Sequence, residues 1–296
     1  ENIKTVHAAI DLGINLFDTA EGYGAGKSEE VLGKALKGKR EDVYIATKAS
    51  GPTFEAAELT LACENSLKRL QTDYIDIYQL HWPRPEMVAG EELFEGVNRL
   101  IESGKIRHFS VCNFGVSDLD RILQAGAVAT NQLNYSLLWR GVEQEIVPMC
   151  KENNIGVFTY SSLVHGLLSG KYTSLDEFPE SRARTLHFSS KRAGVRHGQD
   201  GHEELTSQTI DAIRHICDEA GISMVDAAFG WVMHQPQVTS VLAGAGKPEQ
   251  LAQNAGVADI TFSDDFLKAL TEATRPLAEV FGKQVDMWQI PGRIGL

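Results

Sequence analysis

Cysteine is scarce. The 296 residues hold four, Cys63, Cys112, Cys150 and Cys217, too few for a disulfide framework and in no zinc-ligand spacing. A reducing cytoplasm is therefore the expected compartment. No run of 18 apolar residues occurs, so no membrane-spanning helix is expected. Basic residues are the minority: 28 Lys and Arg against 40 Asp and Glu leave a net charge of −12, which disfavours non-specific nucleic-acid binding. No G-x-G-x-x-G follows a strand candidate; Gly22, Gly24 and Gly26 lie in a loop with the wrong spacing. No signal peptide is visible, but the chain opens at Glu1 rather than Met, which leaves room for a segment upstream. Nothing in the sequence speaks to oligomeric state.

With 43% hydrophobic and 23% charged residues, the chain has ordinary globular composition, which excludes disordered and low-complexity classes. Short apolar runs alternate with longer amphipathic ones. The strand candidates are Ile14–Asp18, Val43–Thr47, Ile75–Leu80, Ile106–Val111, Val128–Leu133, Gly156–Tyr160 and Val238–Ala243. Asn2–Leu12, Glu55–Leu70, Glu91–Ser103, Ser117–Gln124, Glu143–Glu152, Glu203–Glu219 and Asp264–Val280 read as helices. The alternation predicts a parallel sheet with right-handed crossovers. A doubly wound open sheet and a closed (β/α)8 barrel both fit. Seven strands are found rather than eight, so a barrel would take its first strand from upstream of Glu1. Between residues 161 and 201 periodicity lapses into a long loop, and Ser181–Gln199 carries five basic residues and no acidic one. Loops of this length are often lids or binding loops.

Chemistry follows the apolar runs. The first ends in Asp18 and leads to Tyr23, the second ends at Lys48, and the third at His81. In a barrel these strand ends share one rim, where active sites sit; an open sheet offers no common rim, so the convergence favours the barrel. A phenol near pKa 10 is a poor acid at neutral pH. A nearby ammonium should lower that pKa, a carboxylate would keep the lysine charged, and a neutral histidine could orient a carbonyl oxygen. The set suits protonation of a developing alkoxide and contains no metal cage. Singly, each residue has a plainer explanation: a turn cap for Asp18, a solvated charge for Lys48, a core histidine for His81, a turn aromatic for Tyr23. A His/Asp metal hydrolase is a rival, but Asp73, Asp76 and His108 fall at strand starts or inside strands and supply no rim cluster.

The motifs INLFDTAEGYG, LKRLQTDYIDIYQLHWP, GKIRHFSVCNF, NQLNYSLLWR, TYSSLVHGLLSGKY and VLAGAGKPEQLAQNA occur in this order, and the chain resembles the aldo-keto reductases, in their broad bacterial branch, over nearly all of residues 1–296. The resemblance implies one (β/α)8 TIM barrel domain that binds extended NAD(P)H without a Rossmann motif. It implies a catalytic tetrad of Asp18, Tyr23, Lys48 and His81 with Tyr23 as proton donor. It would assign the nicotinamide carboxamide to Asn113 and Gln132, and ring stacking to Tyr160. Ser161, Leu163, Gly166 and Lys171 would wrap the pyrophosphate, and Gly244, Lys247, Gln250 and Asn254 would hold the adenosine end. Phe54, Trp82 and Trp139, with Tyr23, would line an apolar pocket for a carbonyl or sugar-like substrate. Cys112 stands where the family commonly has Ser. Gly246 stands where many members have Arg or Lys, which leaves Lys247 to meet a 2′-phosphate. No acidic residue lies between Val238 and Lys247 to grip a ribose hydroxyl, so NADP is favoured over NAD. The implied activity is reduction of an aldehyde or ketone to an alcohol, or the reverse. The alternative is an idle NADP-binding subunit like the β subunits of potassium channels.

Overall fold

The computed structural model describes residues 2–51, 53–84, 86–87 and 90–290. Seven parallel strands form one sheet in chain order: β1 (Leu16–Asp18), β2 (Tyr44–Ala49), β3 (Ile75–Leu80), β4 (Ile106–Cys112), β5 (Thr130–Asn134), β6 (Gly156–Tyr160) and β7 (Val238–Val241). Each strand pairs with its sequence neighbours, as short βα units require. The intervening helices are α1 (Asn2–Asp11), α2 (Lys27–Ala35), α3 (Ala56–Leu70), α4 (Gly90–Glu102), α5 (Val116–Leu123), α6 (Ile146–Glu152), α7 (Glu203–Ala220), α8 (Met224–Met233), α9 (Pro248–Gly256) and α10 (Asp264–Phe281). Helix α1, before β1, packs against α9, after β7, so the sheet curls until the helices beside its two edge strands meet. The result is an open form of the (β/α)8 barrel; among the described residues no ladder joins β1 to β7.

All seven expected strands form, with boundaries shifted by up to two residues. Three helices lie outside those expected from periodicity. α2 and α9 span only nine residues each, and α8 (MVDAAFGWVM) is buried along most of its length and apolar apart from Asp226.

The long loop after β6 contains two short 3-10 turns, Val164–Ser169 and Leu175–Glu177, and is packed down rather than loose. Phe178 and Phe188 stack within it at 5.4 Å. Leu186 N–H donates to Met287 O at 2.8 Å, which ties the loop to the C-terminal segment. Arg192 is neutralised by Glu203 (2.5 Å), Glu180 (2.8 Å) and Asp176 (3.5 Å).

Candidate active site

The parallel register brings the rim residues together. Lys48 and Gln79 are register partners on β2 and β3, and Cys112 and Gln132 on β4 and β5, so these polar side chains share the inner face near the strand ends. Lys48 is fully buried. Its ammonium donates to both oxygens of Asp18 (2.7 and 2.6 Å) and to Thr19 O (2.8 Å). Burial opposes its charge, but Asp18 and Tyr23 outweigh burial and hold the lysine pKa above its usual value, so it stays protonated. Gln132 Nε2 donates to Asp18 Oδ1 at 2.8 Å from across the barrel.

Tyr23 sits in the βα turn after β1, with Lys48 Nζ 5.2 Å from its ring centroid and the His81 ring edge-on at 5.7 Å. Here the structure corrects an expectation. Tyr23 keeps 42% of its surface exposed, yet desolvation around the phenol outweighs the lowering by Lys48, and with Asp18 and Cys112 it raises the phenol above its usual value. At neutral pH the phenol therefore holds its proton.

Asn113 follows β4 in the left-handed region (φ 65°), which Asn tolerates better than most residues. Its amide donates to His81 O at 3.1 Å and accepts from Tyr160 O–H at 2.6 Å. The Cys112 thiol lies between the two amides, donating to Gln132 Oε1 (3.3 Å) and accepting from Asn113 Nδ2 (3.1 Å).

A cavity of about 1100 Å³ runs from Tyr23 and His81 past Tyr160 and the 161–166 turn to Gly244 and Asn254, and continues between β1 and β7. Along the turn, Ser161, Val164, His165 and Gly166 all have positive φ (60°, 45°, 56° and 105°). Successive N–H groups in such turns converge on an anion. Among the described residues, the N–H groups of Ser162, Leu163, Gly244 and Ala245 have no protein partner, and Ser162 Oγ and His165 Nε2 are buried without one. This donor set fits the oxygens of a dinucleotide. The Arg182 guanidinium would lie 3.6 Å from a Cβ built at Gly166. Burial, with Arg184 and Arg182, lowers His165 to about 4, so it is neutral.

Several residues named from sequence are not among those that line this cavity. Lys171 and Lys247 are exposed and outside the cavity lining. Gln250 is likewise outside it and accepts from Gly246 N–H at 3.1 Å. Phe54 and Trp139 do not line the cavity. Both are buried in the core, and the Trp139 ring packs 4.7 Å from Phe281 with its N–H on Val285 O. Trp82 does line it, and its partner there is Trp288, from the C-terminal segment. Trp288 stacks parallel to Tyr160 at 6.3 Å and meets His165 edge-on at 5.8 Å. The buried Asp286 holds this turn by accepting from Trp288 N–H (2.9 Å) and Ile290 N–H (3.0 Å). Gln79, also unsuspected, points an amide at Asp18 (3.5 Å) and leaves its Oε1 buried without a partner. Among the described residues no cluster of His, Cys, Asp or Glu could hold a metal, and no helix is long and apolar enough to cross a membrane.

Known proteins resemble this chain over most of its length. The family model described as Aldo/keto reductase family matches residues 1–275. Aldo-keto reductase YhdN of Bacillus subtilis is 38% identical over 264 residues, covering 84% of this chain and 76% of that protein. The NADH-specific methylglyoxal reductase of Escherichia coli is 33% identical over 287 residues, covering 88% and 84%. Among solved structures, the glycerol dehydrogenase of Gluconobacter oxydans superposes with a TM-score of 0.80 at 30% identity, covering 96% of this chain and 87% of that one. A Klebsiella pneumoniae aldo-keto reductase in complex with NADPH gives 0.72 at 28%, covering 100% and 88%.

Proposed function

The chain belongs to the aldo/keto reductase family, and from that premise we propose that it reduces a small aldehyde or ketone to the alcohol, with NADPH preferred over NADH and Tyr23 as proton donor. The observation that carries the reading is the meeting of Asp18, Tyr23, Lys48 and His81 at the C-terminal ends of three adjacent strands. The intact, doubly bonded Lys48–Asp18 pair supports a catalytic role over an idle cofactor-binding one.

A bound dihydronicotinamide supplies the hydride for carbonyl reduction. Asn113 and Gln132 would hold its carboxamide, Tyr160 would stack on its ring, and the turn at Ser161, Leu163 and Gly166, with Arg182 beside it, would take the pyrophosphate. Gly244 and Asn254 would hold the adenosine end. The chain's own residues then manage the oxygen. His81 donates a hydrogen bond that orients the carbonyl, and Tyr23 gives its proton to the alkoxide as charge develops. Lys48, kept charged by Asp18, steadies the phenolate that remains.

The preference for NADPH rests on Lys247, which stands at the N-cap of α9 with Pro248 directly after it, where helix dipole and ammonium both favour a phosphate. One relative is an NADH-specific reductase, so the reading requires that NADPH binding, and not NADH binding, depend on Lys247. All four cysteines are unpaired and buried, which suits a reducing compartment such as the cytoplasm. Trp82 and Trp288 form an aromatic wall that suits a small or planar carbonyl. The test is turnover: purified protein with NADPH and either methylglyoxal or p-nitrobenzaldehyde should consume the dihydronicotinamide absorbance. No consumption across a panel of small carbonyls would contradict the reading.

A further inference from the structure

We propose that Ser50 is a positioning residue that sets the tautomer of His81. The inference rests on the reading of His81 as the donor to the carbonyl oxygen. A neutral imidazole carries one hydrogen on two nitrogens, and the partner of one nitrogen decides which of them holds it.

The register makes Ser50 that partner. Ala49 and Leu80 are paired at the ends of β2 and β3, and His81 N–H donates to Ala49 O at 2.9 Å. Ser50 and His81 are the next residues on each strand, so they stand side by side at the rim. Ser50 Oγ is 3.3 Å from His81 Nδ1.

Ser50 is itself held. Its N–H donates to Glu21 Oε1 at 2.6 Å. Glu21 lies 3.9 Å from the Arg69 guanidinium, and Arg69 Nε donates at 2.6 Å to Glu29, which is fully buried and also accepts from Thr47 at 2.6 Å. A chain of charge-assisted contacts thus anchors the serine from the helical layer inward.

The direction of the Ser50–His81 bond follows from the available acceptors. Among the described residues, His81 Nδ1 is the protein acceptor within reach of the Ser50 hydroxyl hydrogen. If Nδ1 carried the hydrogen instead, the serine hydrogen would have no protein partner. With the hydroxyl donating to Nδ1, the imidazole hydrogen sits on Nε2, the tautomer that can donate to a carbonyl.

The test combines spectroscopy with kinetics on the full chain. Histidine labelled with nitrogen-15 reports the tautomer, and the His81 signals are assigned by their absence in His81→Gln. Wild type should show Nε2–H alone. Ser50→Ala should show a mixture, with kcat down about fivefold, the worth of one neutral hydrogen bond, and KM for NADPH unchanged. Ser50→Thr, which keeps the hydroxyl, should restore both. An unchanged tautomer in Ser50→Ala overturns the proposal whatever the activity does. A shifted tautomer with full activity also overturns it. If His81→Gln is then fully active as well, the parent reading of His81 fails too; if that variant is crippled, only the role of Ser50 fails.

Discussion

Gln132 donates a 2.8 Å hydrogen bond to Asp18, so the fifth strand reaches across the barrel to the carboxylate that neutralises Lys48. The pair is unequal. The lysine side chain is 0% exposed and the aspartate side chain 16%. Removing one partner of a buried pair costs about 3–5 kcal/mol, because the other charge is left uncompensated. Asp18→Asn, which strands the lysine, should lose stability in that range. Lys48→Met should lose less, because Asp18 keeps Gln132 and some access to water. Urea unfolding of both variants checks the order, and equal losses would contradict it.

Which parts were readable in advance follows from where the signals lie. The rim residues were readable because Asp18, Lys48 and His81 end or directly follow an apolar run, with Tyr23 one short turn beyond Asp18, and chain position near a strand end translates into place on the rim. Trp288 was not, because it lies in a tail without periodicity and reaches the site only through Asp286 and the Leu186–Met287 contact. Phe54 and Trp139 were misplaced because an aromatic near a site motif can face either core or cavity, and chain position does not say which. Ser181–Gln199 holds five basic residues and no acidic one, and for Arg192 the compensating carboxylates, Asp176, Glu180 and Glu203, lie just outside that window. The lowering of Tyr23 by Lys48 follows from charge alone; the desolvation that outweighs it comes from neighbours that only the folded site brings around the hydroxyl.

The raised Tyr23 phenol sets a pH dependence. Its proton is held through neutrality and lost only above the usual value of 10. The reductive rate should stay level between about pH 7 and 9 and fall only at higher pH, where the phenol ionises. Alcohol oxidation, which needs the phenolate as base, should rise over the same range. A reductive rate that falls through neutral pH would assign the controlling group elsewhere.

His187 predicts acid sensitivity. It is fully buried, with its ring nitrogens 2.9 Å from Thr185 Oγ1 and 3.0 Å from Leu138 O. Burial lowers its pKa to about 4. A depressed histidine means that the unfolded chain binds the extra proton. Its contribution is therefore complete above about pH 6.5 and is lost as pH falls toward 4, for a total of about 3 kcal/mol. Unfolding free energies across this window should decline in the wild type, and less steeply, by about one proton, in His187→Gln. Parallel slopes would contradict the assignment.

Lys247 carries the proposed cofactor preference. A lysine–phosphate contact is worth roughly 1.5–3 kcal/mol, or about tenfold to a hundredfold in affinity. Lys247→Ala should weaken NADPH by that factor and leave NADH nearly unchanged, as measured by titration of intrinsic fluorescence. Equal loss of both cofactors would show that Lys247 does not read the 2′-phosphate.

The central claim is that Tyr23 is the proton donor for carbonyl reduction, and single-turnover kinetics of Tyr23→Phe test it most directly. With NADPH pre-bound and p-nitrobenzaldehyde added, the variant should bind cofactor as wild type does and reduce the aldehyde at least about 10²-fold more slowly. Cofactor oxidation at a near wild-type rate would contradict the account.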